Sequence, residues 1–126
     1  MSPQRFCISK DQRLRRSEDF ARLYAGGVRA GDTHLLIFGG VNPKGRSRFG
    51  LSVSKKHGNA VQRGRLKRLL REAFRLSQHE LPTGLDMILI PRQNSGATLD
   101  DYRRSLVSTA KRLAKRLKAV EQGEPS

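Results

Sequence analysis

NAVQRGRLKRLLREAFR, residues 59–75, is the stretch whose reading decides this fold. Asn59 is a residue type whose side chain accepts a hydrogen bond from a free helix N–H. Gln62, three residues on, completes the pattern of a capping box. The spacing predicts a helix over 60–77. Wound at about 100° per residue, Leu66, Leu69, Leu70, Ala73 and Phe74 gather on one face. Lys67, Arg68, Arg71 and Arg75 gather on the other, with Arg63 and Arg65 flanking the boundary on opposite sides. Gly64 falls near the middle of the basic face, although a helix-interior glycine costs about 1 kcal/mol relative to alanine.

One helix therefore carries an apolar stripe for a sheet and a row of cations for a ligand. A face that is only solvated mixes signs for i,i+4 pairing. This one has six cations and a single acid, Glu72. Like charges at that spacing repel, so the row calls for a polyanion to offset it. Lys55, Lys56 and Asn59 surround the helix start, where unpaired N–H groups and the helix dipole favour a phosphate. A plain strand-to-helix loop with a cap is the alternative there.

Outward from this helix, RFGLSVS (48–54) alternates. Phe49, Leu51 and Val53 share one side; Arg48, Gly50, Ser52 and Ser54 share the other, which predicts a half-buried strand with a small-residue open face. THLLIFGGV (33–41) reads as a second strand, and NPKG (42–45) as the turn between them. The expectation is an antiparallel hairpin. SEDFARLYAGG (17–27) predicts a short helix with Ser17 as N-cap, acids in its first turn and a glycine stop. Phe20, Leu23 and Tyr24 form its apolar stripe. LDMILI (85–90) predicts a short apolar strand. Thr98 caps a last helix, roughly 99–120, with Asp100 and Asp101 at its start and cations near its end. Leu106, Thr109, Leu113, Leu117 and Val120 trace its inner face. Residues 1–16 are expected to be a flexible basic arm, 17–120 a single domain and 121–126 a disordered tail. The order α-β-β-α-β-α, with room for a short strand near the start, predicts an α+β sandwich.

Twenty-six Lys and Arg against eleven Asp and Glu give a net charge of +15. Such a balance points to nucleic acid as partner, with anionic lipid the lesser choice. The longest apolar stretch, LLIFGGV (35–41), falls short of the roughly 20 residues a membrane span needs. The first residues lack the apolar core of a secretory signal, and the lone Cys7 cannot form an intrachain disulfide. A cytoplasmic home is expected.

Protein-based nuclease chemistry would need clustered carboxylates for metal ions or a histidine pair for proton transfer. His34, His57 and His79 are scattered. The acids pair only as Glu18-Asp19 and Asp100-Asp101, and helix first turns explain both. No catalytic residue and no metal ligand is expected.

SVSKKHGNAVQRGRLKRLLREAF (52–74) closely resembles the signature of the bacterial ribonuclease P protein subunit, S-x-K-K-x-G-N-A-V-x-R-N-R-x-K-R-x-x-R-E. The chain departs from it at Gly64, where the family usually has asparagine. LRRSEDFARLYAGG resembles the family's early L-[RK]-x-x-x-[DE]-F segment, and the likeness covers roughly residues 12–118. The resemblance implies an α-β sandwich like the second domain of ribosomal protein S5, with a left-handed βαβ crossover formed by the signature helix. It implies a partner, ribonuclease P RNA, at one protein per catalytic RNA, and a second ligand, the 5′ leader of precursor tRNA. The RNA would cleave the leader with bound Mg²⁺.

By position, the resemblance assigns Arg63, Gly64, Arg65, Lys67, Arg68, Arg71 and Arg75 to the catalytic RNA. It assigns Phe20, Tyr24, Phe38, Ser52, Lys55, Lys56 and Asn59 to a cleft for the single-stranded leader. Phe38 stands where the family pattern leads one to expect tyrosine. A basic groove with stacking aromatics is how single strands are held. The competing reading is a basic RNA-binding structural protein, a ribosomal protein or RNA chaperone, with no processing role.

Overall fold

A computed structural model describes residues 8–121. In chain order it has α1 (Ser17–Gly26), β1 (Arg29–Gly31), β2 (Leu35–Val41), β3 (Arg48–Leu51), α2 (Ala60–Ser77), β4 (Leu85–Pro91) and α3 (Leu99–Glu121). Short 3-10 turns occupy Lys10–Gln12, Lys55–His57 and Gln78–Glu80. The strands form one mixed sheet in the order β1-β2-β4-β3. The fold is a single α+β domain; the short extra strand allowed for near the start is β1, which follows the first helix.

The expected β2–β3 hairpin does not form. β4 lies between the two strands, antiparallel to β2 and parallel to β3. The reason is burial. Every residue of β4 except Ile90 is buried, and a strand apolar on both faces belongs in the middle of a sheet. Residues 42–47 need only cross two strand spacings, about 10 Å. β3, α2 and β4 then make a parallel βαβ unit around the signature helix.

Both faces of the sheet are covered, unequally. On one, Leu35, Ile37, Phe49, Met87 and Leu89 share the main core with Leu70 and Phe74 of α2 and Leu106 and Leu113 of α3. The Phe49 and Phe74 rings stack at 4.2 Å. Burying each such side chain contributes about 1.5–3 kcal/mol. Of the inner-face residues expected on the last helix, Leu106, Thr109, Leu113 and Leu117 are buried; the side chain of Val120 lies outside those described. The Thr98–Asp101 capping box forms, with bonds of 2.9 and 3.2 Å. On the opposite face Leu14, Leu23 and Ile88 make a smaller core, joined by half-buried Phe20, Phe38 and Ile90. Among the described residues α1 is the only α-helix on this face, so part of it stays accessible.

Two local readings shift. Arg16, not Ser17, is the N-cap of α1, and no side chain caps it; Ser17 is the first helical residue. The segment before α1 packs as well. Gln12 and Leu14 are buried, the Leu14 amide donates to the Phe49 carbonyl at 2.8 Å, and Arg13 bridges Phe49 in parallel register. Residues 8–16 thus lie along β3 rather than forming an arm. Residues 1–7, Cys7 among them, and the tail 122–126 lie outside the described residues.

Candidate nucleic-acid interface

The site is built around the start of α2. Gly58 has φ 113°, and a Cβ there would collide with the Gln62 side chain. Glycine is required because Gln62 folds back over it. The Gln62 amide oxygen accepts from the Asn59 backbone N–H at 2.9 Å, while Asn59 Oδ1 accepts from the Gln62 N–H at 2.9 Å. The capping box read from the sequence is therefore real, and it commits Asn59 Oδ1 to the helix. Lys55 and Lys56 sit exposed on the turn before it.

Along α2 the two faces separate as the helical period predicts. Leu70, Ala73 and Phe74 are buried, and Leu66 and Leu69 pack half-buried against the same core. Arg65 and Arg68 are exposed; Arg63, Lys67 and Arg71 are partly covered. Arg63 Nε donates to the Gly58 carbonyl at 3.3 Å, which ties the guanidinium to the preceding loop. Glu72 is taken by Arg75, with bonds of 2.8 and 2.9 Å. The one acid on the face thus neutralises its last cation and leaves Arg65, Lys67, Arg68 and Arg71 without an ion pair among the described residues. A Cβ at Gly64 would meet only Arg68 Nη1, at 3.8 Å. Packing does not require the glycine.

The three aromatic residues come together on the α1 side of the sheet. Tyr24 is 40% exposed and meets Phe38 edge-on at 5.0 Å. The Arg29 guanidinium lies 5.7 Å from the Phe38 ring centre, within cation–π range. Phe20 is half-buried on Leu14 and Gly50. A Cβ at Gly50 would lie 2.5 Å from Phe20 Cζ, so the open face expected on β3 is in fact closed by this ring. Ser52 continues the β3 ladder, its N–H donating to the Leu89 carbonyl at 3.0 Å. Alternation turns its side chain toward the Gly50 face. Lys56 is drawn elsewhere: its carbonyl accepts from Gln93 Nε2 at 3.0 Å, beside the β4–α3 loop.

Sequence reading missed what anchors α1. Asp86 of β4 is fully buried on the α1 face. It accepts two bonds from Arg48, at 2.7 and 2.6 Å, one from Arg22 at 2.6 Å and one from Asn42 at 2.9 Å. Burial alone would push the carboxyl up; the bonds from Arg48, Arg22 and Asn42 outweigh it and hold it below the usual carboxylate range. Arg22 projects from α1, so the cluster fixes the helix that carries Phe20 and Tyr24. The available signal was a lone acid inside the apolar run LDMILI.

A cationic helix face and an aromatic patch can bind a polyanion through phosphate contacts and base stacking. Among the described residues no three His, Cys, Asp or Glu side chains converge to hold a metal ion.

Fold and site together define a small α+β protein of the nucleic-acid-binding class. A family model described as Ribonuclease P matches residues 8–117. A Ribonuclease P protein component from Desulfovibrio desulfuricans is 36% identical over 121 residues, covering 90% of this chain and 92% of the relative. One from Saccharophagus degradans is 35% identical, covering 98% and 95%. The solved RNase P protein from Thermotoga maritima superposes with a TM-score of 0.73 at 31% identity, covering 79% of this chain and 96% of that one. The chain belongs to the ribonuclease P protein family and shares its role in tRNA processing as a subunit of a ribonuclease.

Proposed function

We propose that the α2 face binds the catalytic RNA of ribonuclease P and that the patch of Phe20, Tyr24 and Phe38 holds the single-stranded 5′ leader of precursor tRNA. The observation that carries this is the row Arg65, Lys67, Arg68 and Arg71, left without ion pairs among the described residues once Glu72 is consumed by Arg75. Arg63, Gly64 and Arg75 complete the RNA-facing surface. Ser52, Lys55, Lys56 and Asn59 border the path from the helix start toward the patch. The RNA carries out the phosphodiester hydrolysis and holds the Mg²⁺ that assists it. The protein supplies charge neutralisation and grip on the leader, one copy per RNA. This work takes place in the cytoplasm; no helix among the described residues is long and apolar enough to cross a membrane.

Reconstitution tests the reading. The protein is mixed with bacterial ribonuclease P RNA at low Mg²⁺, and cleavage of a leader-bearing tRNA is followed. Faster cleavage than by RNA alone is expected. An unchanged rate would remove the processing role.

A further inference from the structure

Arg29 lies opposite Phe38 in the β1–β2 register. One residue away, the Gly39 N–H donates to the Val28 carbonyl at 3.0 Å. Hydrogen-bonded and non-hydrogen-bonded pairs alternate along an antiparallel ladder, so Arg29 and Phe38 form a pair of the second kind, whose side chains lie closer. Both stand on the α1 face of the sheet, with the guanidinium 5.7 Å from the ring centre. The same alternation turns the Arg29 and Gly31 carbonyls out to the free edge of β1. Each is taken by an arginine of α3: Arg116 donates to the Arg29 carbonyl and Arg112 to that of Gly31. A three-residue edge strand is thus clamped by the helix on the other face, and Arg29 is held beside the aromatic patch. Arg29 is exposed and makes no ion pair among the described residues.

Phe38 is therefore flanked by Tyr24, edge-on at 5.0 Å, and by an unpaired cation. A guanidinium over a ring keeps its N–H fork open for phosphate oxygens. From this geometry we infer that Arg29 grips a backbone phosphate of the leader and marks the end of the leader track farthest from the catalytic RNA. The inference rests on the leader-binding reading of the patch and adds a residue outside it. The track crosses the sheet from Phe20, packed over Gly50 of β3, past Phe38 of β2 to Arg29 of β1. Three strand spacings, about 14 Å, separate its ends. That length takes about four nucleotides stacked at ~3.4 Å each, and fewer in an extended strand. Lys67 and Arg71 of α2 lie beside Phe20 and Gly50, so the catalytic RNA stands at the β3 end. Arg29 then discriminates by leader length: a single-nucleotide leader stops short of it.

Holoenzyme is reconstituted with wild-type protein, Arg29→Gln, Arg29→Lys, Tyr24→Ala or a Lys118→Gln control. Affinity is measured for precursor with a leader longer than the track, for precursor with a single-nucleotide leader and for mature tRNA. Arg29→Gln should lose roughly tenfold on the long leader, as for a charge-assisted contact. Its slope of log affinity against log salt should fall by about 0.7, one single-strand phosphate. On the single-nucleotide leader and mature tRNA it should match wild type. Arg29→Lys, which keeps the charge, should keep the slope, and Lys118→Gln should behave as wild type throughout. Equal losses on all three RNAs would make Arg29 a structural residue and overturn the inference. So would an unreduced slope in Arg29→Gln, an equally reduced one in Arg29→Lys, or a control that loses as much. Unchanged long-leader binding by Arg29→Gln, with Tyr24→Ala impaired, overturns the role of Arg29 alone. If Tyr24→Ala is unimpaired as well, the leader reading of the whole patch falls.

Discussion

Arg48 grips the buried carboxylate of Asp86 in a two-bond fork, at 2.7 and 2.6 Å, and Arg22 reaches the same carboxylate from α1. Its pKa lies below the ordinary value, with the arginine bonds overcoming burial. For a carboxyl depressed in the folded state, the stabilisation is fully present above its unfolded pKa, about 3.9. It is lost as pH falls through the lower folded value. Stability should therefore drop with acid below about pH 4, and Asp86→Asn should flatten that drop. Removing the carboxylate outright leaves Arg48, only 18% exposed, without its partner. Asp86→Ala should cost about 3 kcal/mol, the penalty for breaking a buried pair. Urea unfolding at neutral pH measures it. Because Arg22 is tied to the same group, the loss should also loosen α1, seen as faster amide exchange in that helix than in α2.

How much of this could be read in the sequence depends on how local each feature is. The cap at Asn59, the two faces of α2 and the Thr98 start of α3 follow from spacings of three and four residues, and the structure has them all. Strand pairing is not local. NPKG between two strands suggests a hairpin, and only the burial of β4 on both faces shows that it must lie between them. The segment before α1 misled through composition: its charges suggest an arm, whereas one leucine and the backbone of Phe49 suffice to fasten it. Periodicity placed Phe20 and Tyr24 on one stripe of α1, but could not tell that Phe20 packs on Gly50 while Tyr24 stays exposed.

The fit of Phe20 on Gly50 is tight enough to test. Gly50→Ala should destabilise by about 1–3 kcal/mol, as overpacking does, since the new methyl would meet the ring edge at 2.5 Å. Shortening the ring should relieve it: Gly50→Ala with Phe20→Leu should cost less than the sum of the two single changes. Additive losses would mean that the two residues do not press on each other.

Gly64 presents the opposite case. A methyl added there would have only Arg68 Nη1 within 4 Å, so Gly64→Ala should stabilise the free protein by about 1 kcal/mol through helix propensity. If the bare backbone serves close approach of a phosphate or ribose, the same variant should bind ribonuclease P RNA more weakly despite its higher Tm. Gly64→Asn, which restores the family's usual residue, should likewise weaken binding. Tighter binding would mean that the missing asparagine is a lost contact.

Arg65 and Arg68 are the exposed members of the cationic row, so their part in binding should be read in the salt dependence of assembly. Each phosphate neutralised contributes a slope of about 0.7–0.9 in log affinity against log salt. Arg65→Ala and Arg68→Ala should each reduce the slope by roughly that amount while leaving Tm nearly unchanged. An unaltered slope would take these arginines off the RNA.

On the proposed reading Tyr24 touches the leader and not the rest of the substrate. Its ring is 40% exposed and braced edge-on by Phe38, so a base can stack on it without rearrangement of the sheet. Losing such a stack costs about 1–3 kcal/mol. Tyr24→Ala should weaken holoenzyme binding of leader-bearing precursor by roughly 5- to 100-fold on that scale and leave mature tRNA, which has no leader, unaffected. Because the residue is exposed, Tm should fall little. Equal losses for precursor and mature tRNA would remove Tyr24 from the leader path, and with it the reading of the aromatic patch.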